Sequence, residues 1–220
     1  MTVRKILVLA EGPTEERFIK EVLNGFFQPK GLFLQPVIVA TKRVNAGGKF
    51  KGGVPSYEKV RKEVIRLLAD SSAILVTTML DFYGLPETFP GRASPQGHTS
   101  IEKVRFVERA WSEEIGQSRF SPYLSLHEFE ALLFVSPKEI AQGFSRPELL
   151  QDLQRIRDGF STPEDINDNP ETAPSVRLQK LFARYSKPFF GALISQRIGL
   201  VSIRAECEHF DQWMQTLETL

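Results

Sequence analysis

The chain reads as an α/β protein built on a mainly parallel sheet with helices on both faces, continued by a C-terminal helical region. Three observations lead there. Residues 5–10 and 73–80 are short, almost wholly apolar runs, the character of strands buried on both faces rather than half-solvated ones. Amphipathic segments of helical period lie between such runs, so the order over the first 130 residues is βαβαβαβ. After Glu130 no convincing strand remains and helical patterns take over.

The first strand is expected at 4–9, followed by a helix over 14–26 with Phe18, Ile19, Val22, Leu23 and Phe26 on one face. A second strand fits 33–40, and Pro36 inside it, which lacks a ladder donor, argues for a sheet edge. Val60, Val64, Leu67 and Leu68 mark a helix over 56–69, and 73–80 is the most hydrophobic strand. A loop rich in Gly and Pro covers 82–97. The helix over 99–115 carries Ile101, Val104, Val107, Ala110 and Trp111 on its stripe. A strand over 120–126 ends at His127-Glu128-Phe129-Glu130. Helices are then expected at 129–134, 138–143, 146–159, 175–185, 188–198 and 201–220, with Trp213 in the core like Trp111. The change of texture divides the chain into an α/β domain, 1–134, and a helical extension, 135–220, packed on or capping it.

Bulk properties narrow the function classes. The 28 Lys+Arg against 27 Asp+Glu leave a formal charge of +1, so no whole-molecule field draws the chain to nucleic acid or anionic lipid; any such attraction must be local. One cysteine, Cys207, excludes an intrachain disulfide and a Cys-rich zinc site and fits a reducing compartment. No apolar run approaches the roughly 20 residues of a membrane span, and the run at 6–10 is too short for a signal-peptide core. A cytoplasmic protein without membrane contact is expected.

Two strand ends carry the chemistry. The first apolar run stops at Glu11 and the third at Asp81, positions where a charge gains nothing structurally. If these strands are parallel neighbours, both carboxylates emerge at the carboxyl edge of the sheet, where open α/β sheets bind ligands. Glu11 precedes Gly12-Pro13-Thr14, a tight strand-to-helix turn in which Gly12 can take an unusual backbone angle and Pro13 sets the first helical turn. A carboxylate at that corner can ligate a hard divalent cation. Glu15 and Glu16 read as first-turn acids that complement the helix dipole. Asp81 reads as a second ligand, or as a cap for the following turn.

His127-Glu128-Phe129-Glu130 follows the fourth strand and so falls at the same edge, where Glu128 or Glu130 can complete a cation site. At i, i+2 on one helix, one of the two should face inward and the other outward. His127 is either a proton carrier or a structural histidine. The segment 41–53 gathers Lys42, Arg43, Lys49 and Lys51 with four glycines; it is either a cradle for phosphates or a solvated surface loop. Ser175 after Pro174 reads as a helix cap, with Arg177 facing out or towards an anion, and Cys207 and His209 as packing and surface residues.

Strand-Glu11-Gly12 with Thr14-Glu15 following, and a later strand ending in Asp81, resemble the Toprim domain of topoisomerases, primases and OLD (overcoming lysogenization defect) nucleases. The closer resemblance is to the DUF4276 family of uncharacterised bacterial proteins, regarded as Toprim-like. It extends to 126–134, to 164–167 with 173–178, and to the stretches around Ile198-Gly199-Leu200 and Cys207-Glu208-His209-Phe210. The resemblance implies an Mg²⁺- or Mn²⁺-dependent centre for phosphodiester chemistry, with Glu11 as metal ligand or general acid/base. It further implies nucleic acid as partner and work beside a separate ATPase in phage or plasmid defence. The second Toprim motif is normally Asp-x-Asp, whereas here it is Asp81-Phe82-Tyr83. That departure opens the alternative of a non-catalytic Toprim-like binding or adaptor protein with an eroded metal site.

Overall fold

A computed structural model of the chain describes residues 3–39, 54–167 and 171–220. Its strands are β1 (Arg4–Ala10), β2 (Leu32–Ile38), β3 (Ala73–Asp81), β4 (Phe120–Ser121) and β5 (Leu124–Ser125). The sheet order is β2-β1-β3-β4, with β5 also on β3, and every pairing is parallel. This is the expected α/β architecture, with Pro36 on the edge strand β2 opposite Val8.

The fourth strand is not the continuous run expected over 120–126. β4 pairs with Val76 and Thr77, and β5 with Leu80 and Asp81, leaving Pro122 and Tyr123 between them. Pro122 has no N–H to give the ladder. Thr78 fills the gap with its side chain: Oγ1 donates to the Tyr123 carbonyl (2.7 Å) and accepts from the Tyr123 N–H (3.0 Å).

The apolar run of β1 feeds two cores, as a doubly covered strand must. Ile6, Val8 and Ala10 enter one, and Leu7 and Leu9 the other. On the first face lies α1 (Pro13–Phe18), which continues through a π-helical turn, Ile19–Leu23, into α2 (Asn24–Phe27). On the second face lie α3 (Tyr57–Leu68) and α4 (Ser100–Ile115), with Val60, Val64, Val107 and Trp111 buried.

The helices after the sheet are α5 (Pro137–Gly143), α6 (Leu150–Asp158), α7 (Pro174–Leu181), α8 (Lys187–Ile198), α9 (Leu200–Glu206) and α10 (Glu208–Glu218). Their Ile140, Leu153, Leu178, Ile194, Phe210 and Trp213 join the core of the first face. Trp213 is tied to the sheet itself, its Nε1–H donating to Thr77 Oγ1 at 3.0 Å. Several expected helices are divided. Residues 129–135 form a 3₁₀ helix, a 3₁₀ turn precedes α6, and α7 stops at Leu181. The stretch 201–220 breaks at Cys207, because the Glu164 carboxylate accepts from the N–H groups of His209 (3.0 Å) and Phe210 (3.1 Å) and so starts a new helix. Among the described residues no helix is long and apolar enough to cross a membrane.

Candidate metal centre

Parallel pairing of β1 with β3, Ala10 opposite Met79, brings Glu11 and Asp81 side by side at the carboxyl edge of the sheet. The Glu11 N–H donates to the Met79 carbonyl (3.1 Å), extending the ladder by one residue. Glu11 Oε2 accepts from the Asp81 N–H at 3.2 Å. Asp81 Oδ1 is sealed from solvent and has no hydrogen-bond partner among the described residues. One helical turn on, Glu15 folds back so that its Oε2 accepts from the Gly12 N–H at 2.9 Å. Its side chain is buried.

The other half of the centre comes from the end of the fourth strand and from the helical region. Glu128 is extended, and Glu130 lies in the first turn of the 3₁₀ helix Phe129–Val135. Glu128 Oε2 accepts from the Ser175 N–H (2.8 Å) and Oε1 from the Ser175 hydroxyl (3.0 Å). Lys187 Nζ stands 3.5 Å from Glu128 Oε1 and 3.4 Å from Glu130 Oε1, and the Tyr185 hydroxyl donates to Glu130 Oε1 at 3.3 Å. Gly191 lets α8 come this close. A Cβ there would stand 2.8 Å from Phe129 Cε1 and 3.3 Å from Thr14 Cγ2.

Five carboxylates thus share the centre with one ammonium, which contacts Glu128 and Glu130, and α1, α7 and α8 all begin beside them, so their partial positive ends offset some of the negative charge. The remainder is expressed in the acids. Burial, with the neighbouring Glu128, raises the Glu11 carboxyl. Burial, with Glu130 and Glu11, pushes Glu15 up to about 8. Asp81 is held well above the usual carboxylate range by burial and by Glu11, Glu15, Glu130 and Glu128. Burial raises Glu130 as well, partly countered by Lys187. Burial disfavours the Lys187 ammonium, but Glu130, Glu128 and Asp81 outweigh it and hold its pKa above the ordinary lysine value. Such a cluster would gain from a cation beside it, and the buried Asp81 Oδ1 is an acceptor without a donor among the described residues. No group of three or more His, Cys, Asp or Glu is drawn into a ready cage among the described residues. Two carboxylates completed by water and substrate oxygen are the arrangement Mg²⁺ commonly takes.

The profile of a family described as a domain of unknown function, DUF4276, matches residues 10–218, which takes in every residue of this centre. The chain belongs to the DUF4276 family. Comparison with the curated proteins finds no match. Among solved structures, the C-terminal region of the Burkholderia pseudomallei OLD protein is similar with a TM-score of 0.46 at 13% identity, over 99% of this chain and 100% of that one. The C-terminal region of the Xanthomonas campestris pv. campestris OLD protein gives 0.41 at 16% identity, over 98% of each chain. Neither likeness says anything of activity.

Of the residues singled out from the sequence, Glu11, Asp81, Glu128 and Glu130 meet in this DUF4276 chain. Glu128 and Glu130 are both buried, at 6% and 2% exposure, rather than one inward and one outward. The i, i+2 rule of an α-helix does not apply, since Glu128 is still extended and the turn that follows is 3₁₀. His127 is partly buried and turns Nδ1 toward Asn167 Nδ2 at 3.5 Å. Lys42, Arg43, Lys49 and Lys51 lie outside the described residues. Gly12 is extended (φ −162°), a conformation open to any residue, so no unusual angle explains it.

Ser175 is not the cap of α7, a position held by Ala173; its hydroxyl and N–H serve Glu128 instead. Arg177 donates from Nε to the Thr172 carbonyl and lies 5.5 Å from the Phe160 ring. Cys207 is buried, and so is His209, whose Nε2 is 3.0 Å from Glu108 Oε1. Lys187 and Tyr185 belong to none of the motifs visible in the sequence, and Glu15 reads there as a first-turn acid. One signal for Lys187 was present: a cation in the first turn of a helix opposes the dipole and so calls for another reason.

Proposed function

We propose that this protein is a Toprim-like, divalent-metal-dependent nuclease or related phosphotransfer enzyme, with Mg²⁺ or Mn²⁺ held by Glu11 and Asp81. The observation that carries this reading is the sealed, unpartnered Asp81 Oδ1 beside Glu11 at the carboxyl edge of two paired parallel strands. A buried carboxylate oxygen without a donor is costly in an apoprotein, and a bound cation is a partner that would relieve the cost.

A divalent cation there supplies neutralisation of phosphodiester charge and a lowered pKa for attacking water. The chain's own groups prepare the place. The backbone N–H of Asp81 fixes the Glu11 carboxylate, and the Gly12 N–H fixes Glu15. In the metal-free chain burial, Glu130 and Glu11 push the Glu15 carboxyl up to about 8, and its place beside Glu11 makes it a candidate to accept or release a proton. Ser175 and Lys187 lock Glu128, and Lys187 presents a positive charge to an incoming phosphate. Nucleic acid as the substrate, a separate ATPase as the partner, a role in defence and a cytoplasmic location rest on the family resemblance. Glu128, Glu130 and His127 remain part of the proposed site, and the basic residues Lys42, Arg43, Lys49 and Lys51 are the proposed backbone contacts.

One observation favours the second reading, a binding or adaptor protein. Tyr83 stands where the Toprim motif has its second acid, is 40% exposed, and has its hydroxyl pKa raised by burial and by Glu128 and Asp81. Incubating the purified chain with single- and double-stranded DNA and RNA in EDTA, Mg²⁺ or Mn²⁺ separates the two. Cleavage that needs metal and is lost in Asp81→Asn supports the enzyme. Binding of any of these substrates without cleavage in either metal supports the adaptor.

A further inference from the structure

The two halves of the centre differ in how their oxygens are employed. On the β1/β3 side, Asp81 Oδ1 has no partner and Glu11 Oε2 accepts one backbone N–H at 3.2 Å. On the other side, both oxygens of Glu128 are engaged by Ser175, and Glu128 Oε1 and Glu130 Oε1 share the Lys187 ammonium at 3.5 and 3.4 Å. Tyr185 adds its hydroxyl to the same Glu130 oxygen. The carboxylates of Glu128 and Glu130 are almost fully buried, with side-chain exposures of 7% and 3%, whereas the Lys187 side chain is 37% exposed. A buried acid pair of this kind requires a counter-charge, and the chain provides its own.

From this we infer that the centre takes a single divalent cation, on Glu11 and Asp81, and that Lys187 is a built-in cation filling the place a second metal ion would occupy between Glu128 and Glu130. The inference rests on the metal-dependent reading above. It gives Glu128 and Glu130 the task of holding Lys187, so that neither supplies the third metal carboxylate expected from the sequence. It also accounts for Tyr83. With a fixed ammonium on that side, a second acid after Asp81 has no second ion to bind, and the position is free for an uncharged side chain. Lys187 acts here as a fixed charge, held in place by Glu128 and Glu130.

The test counts ions. Mn²⁺ is titrated into the full chain, with bound and free ion separated by electron paramagnetic resonance and the melting temperature read in parallel. The wild type is expected to bind one Mn²⁺ per chain, Glu130→Gln to keep it, and Asp81→Asn to lose it. Lys187→Met, which leaves two buried acids without a counter-charge, should bind two, with a larger Mn²⁺-induced rise in melting temperature than the wild type shows. Should Lys187→Met fail to fold, Lys187→Gln, which removes the charge but keeps a polar side chain, takes its place in the count. Two ions in the wild type, a single ion in a folded Lys187 variant, or one ion lost in Glu130→Gln and kept in Asp81→Asn, would overturn the inference and leave the metal-dependent reading standing. No ion in the wild type removes both.

Discussion

Asp81 sits where the strand and the chemistry make opposite demands. The strand ladder fixes its backbone, burial and four nearby acids raise its pKa, and Oδ1 has no donor. Strain of this kind at a ligand site lowers the stability of the unliganded fold. Asp81→Asn removes the repulsion while keeping the shape. The metal-free variant should therefore melt about 2–4 °C above the metal-free wild type, as about 1 kcal/mol gives in a domain of this size, and should show no metal-induced rise. A variant that melts lower in the absence of metal would mean that Asp81 is structural. At this scale the sequence was informative where a residue broke its local pattern. Glu11 and Asp81 were visible because each ends an apolar run. Glu15 was not, because an acid in a first helical turn is ordinary, and only the fold shows it buried against Glu11 and Glu130.

The continuous apolar runs of β1 and β3 and the periodic stripes of α3 and α4 were legible nearly to their ends, since each carries its own pattern of burial. The fourth strand and the C-terminal helices were not, because their limits are set by side chains distant in sequence. Glu164 starts α10, and Glu128 holds the start of α7. The strand is bridged by Thr78, 45 residues before its partner. Thr78→Val keeps the volume and removes both bonds to Tyr123, leaving a buried N–H and carbonyl without partners. A loss of about 3 kcal/mol is expected on denaturant unfolding. Because Tyr123 lies between β4 and the Leu124–Ser125 strand that pairs with Asp81, the same variant should also weaken Mn²⁺ binding. A valine variant with wild-type stability would show that Pro122 interrupts nothing the fold depends on.

On the scale of the whole molecule, the centre ties stability to pH and to metal through one set of protons. Glu11, Glu15, Asp81 and Glu130 all have pKa values raised above those of the unfolded chain. Over the window from their unfolded values near 4 up to about 8, the Glu15 value, the native state therefore holds more protons than the unfolded state. Stability then falls as pH rises. His209, raised by its bond to Glu108 against the effect of burial, has the same sign, its contribution being lost as pH rises through its folded value. Lys187, raised by Glu130, Glu128 and Asp81, keeps its contribution throughout this window and loses it only above the ordinary lysine range. The melting temperature of the metal-free chain should therefore decline between pH 5 and 8, within the window set by the acids. A cation on Glu11 and Asp81 takes the place of those protons, so Mn²⁺ should stabilise little at the acid end and most at the alkaline end, with proton release on binding. Calorimetry in two buffers of different ionisation enthalpy reads that release directly. A metal-free melting temperature that rises steadily across the window would contradict the placement of these acids in one buried cluster, and a metal affinity independent of pH would contradict their role as its ligands.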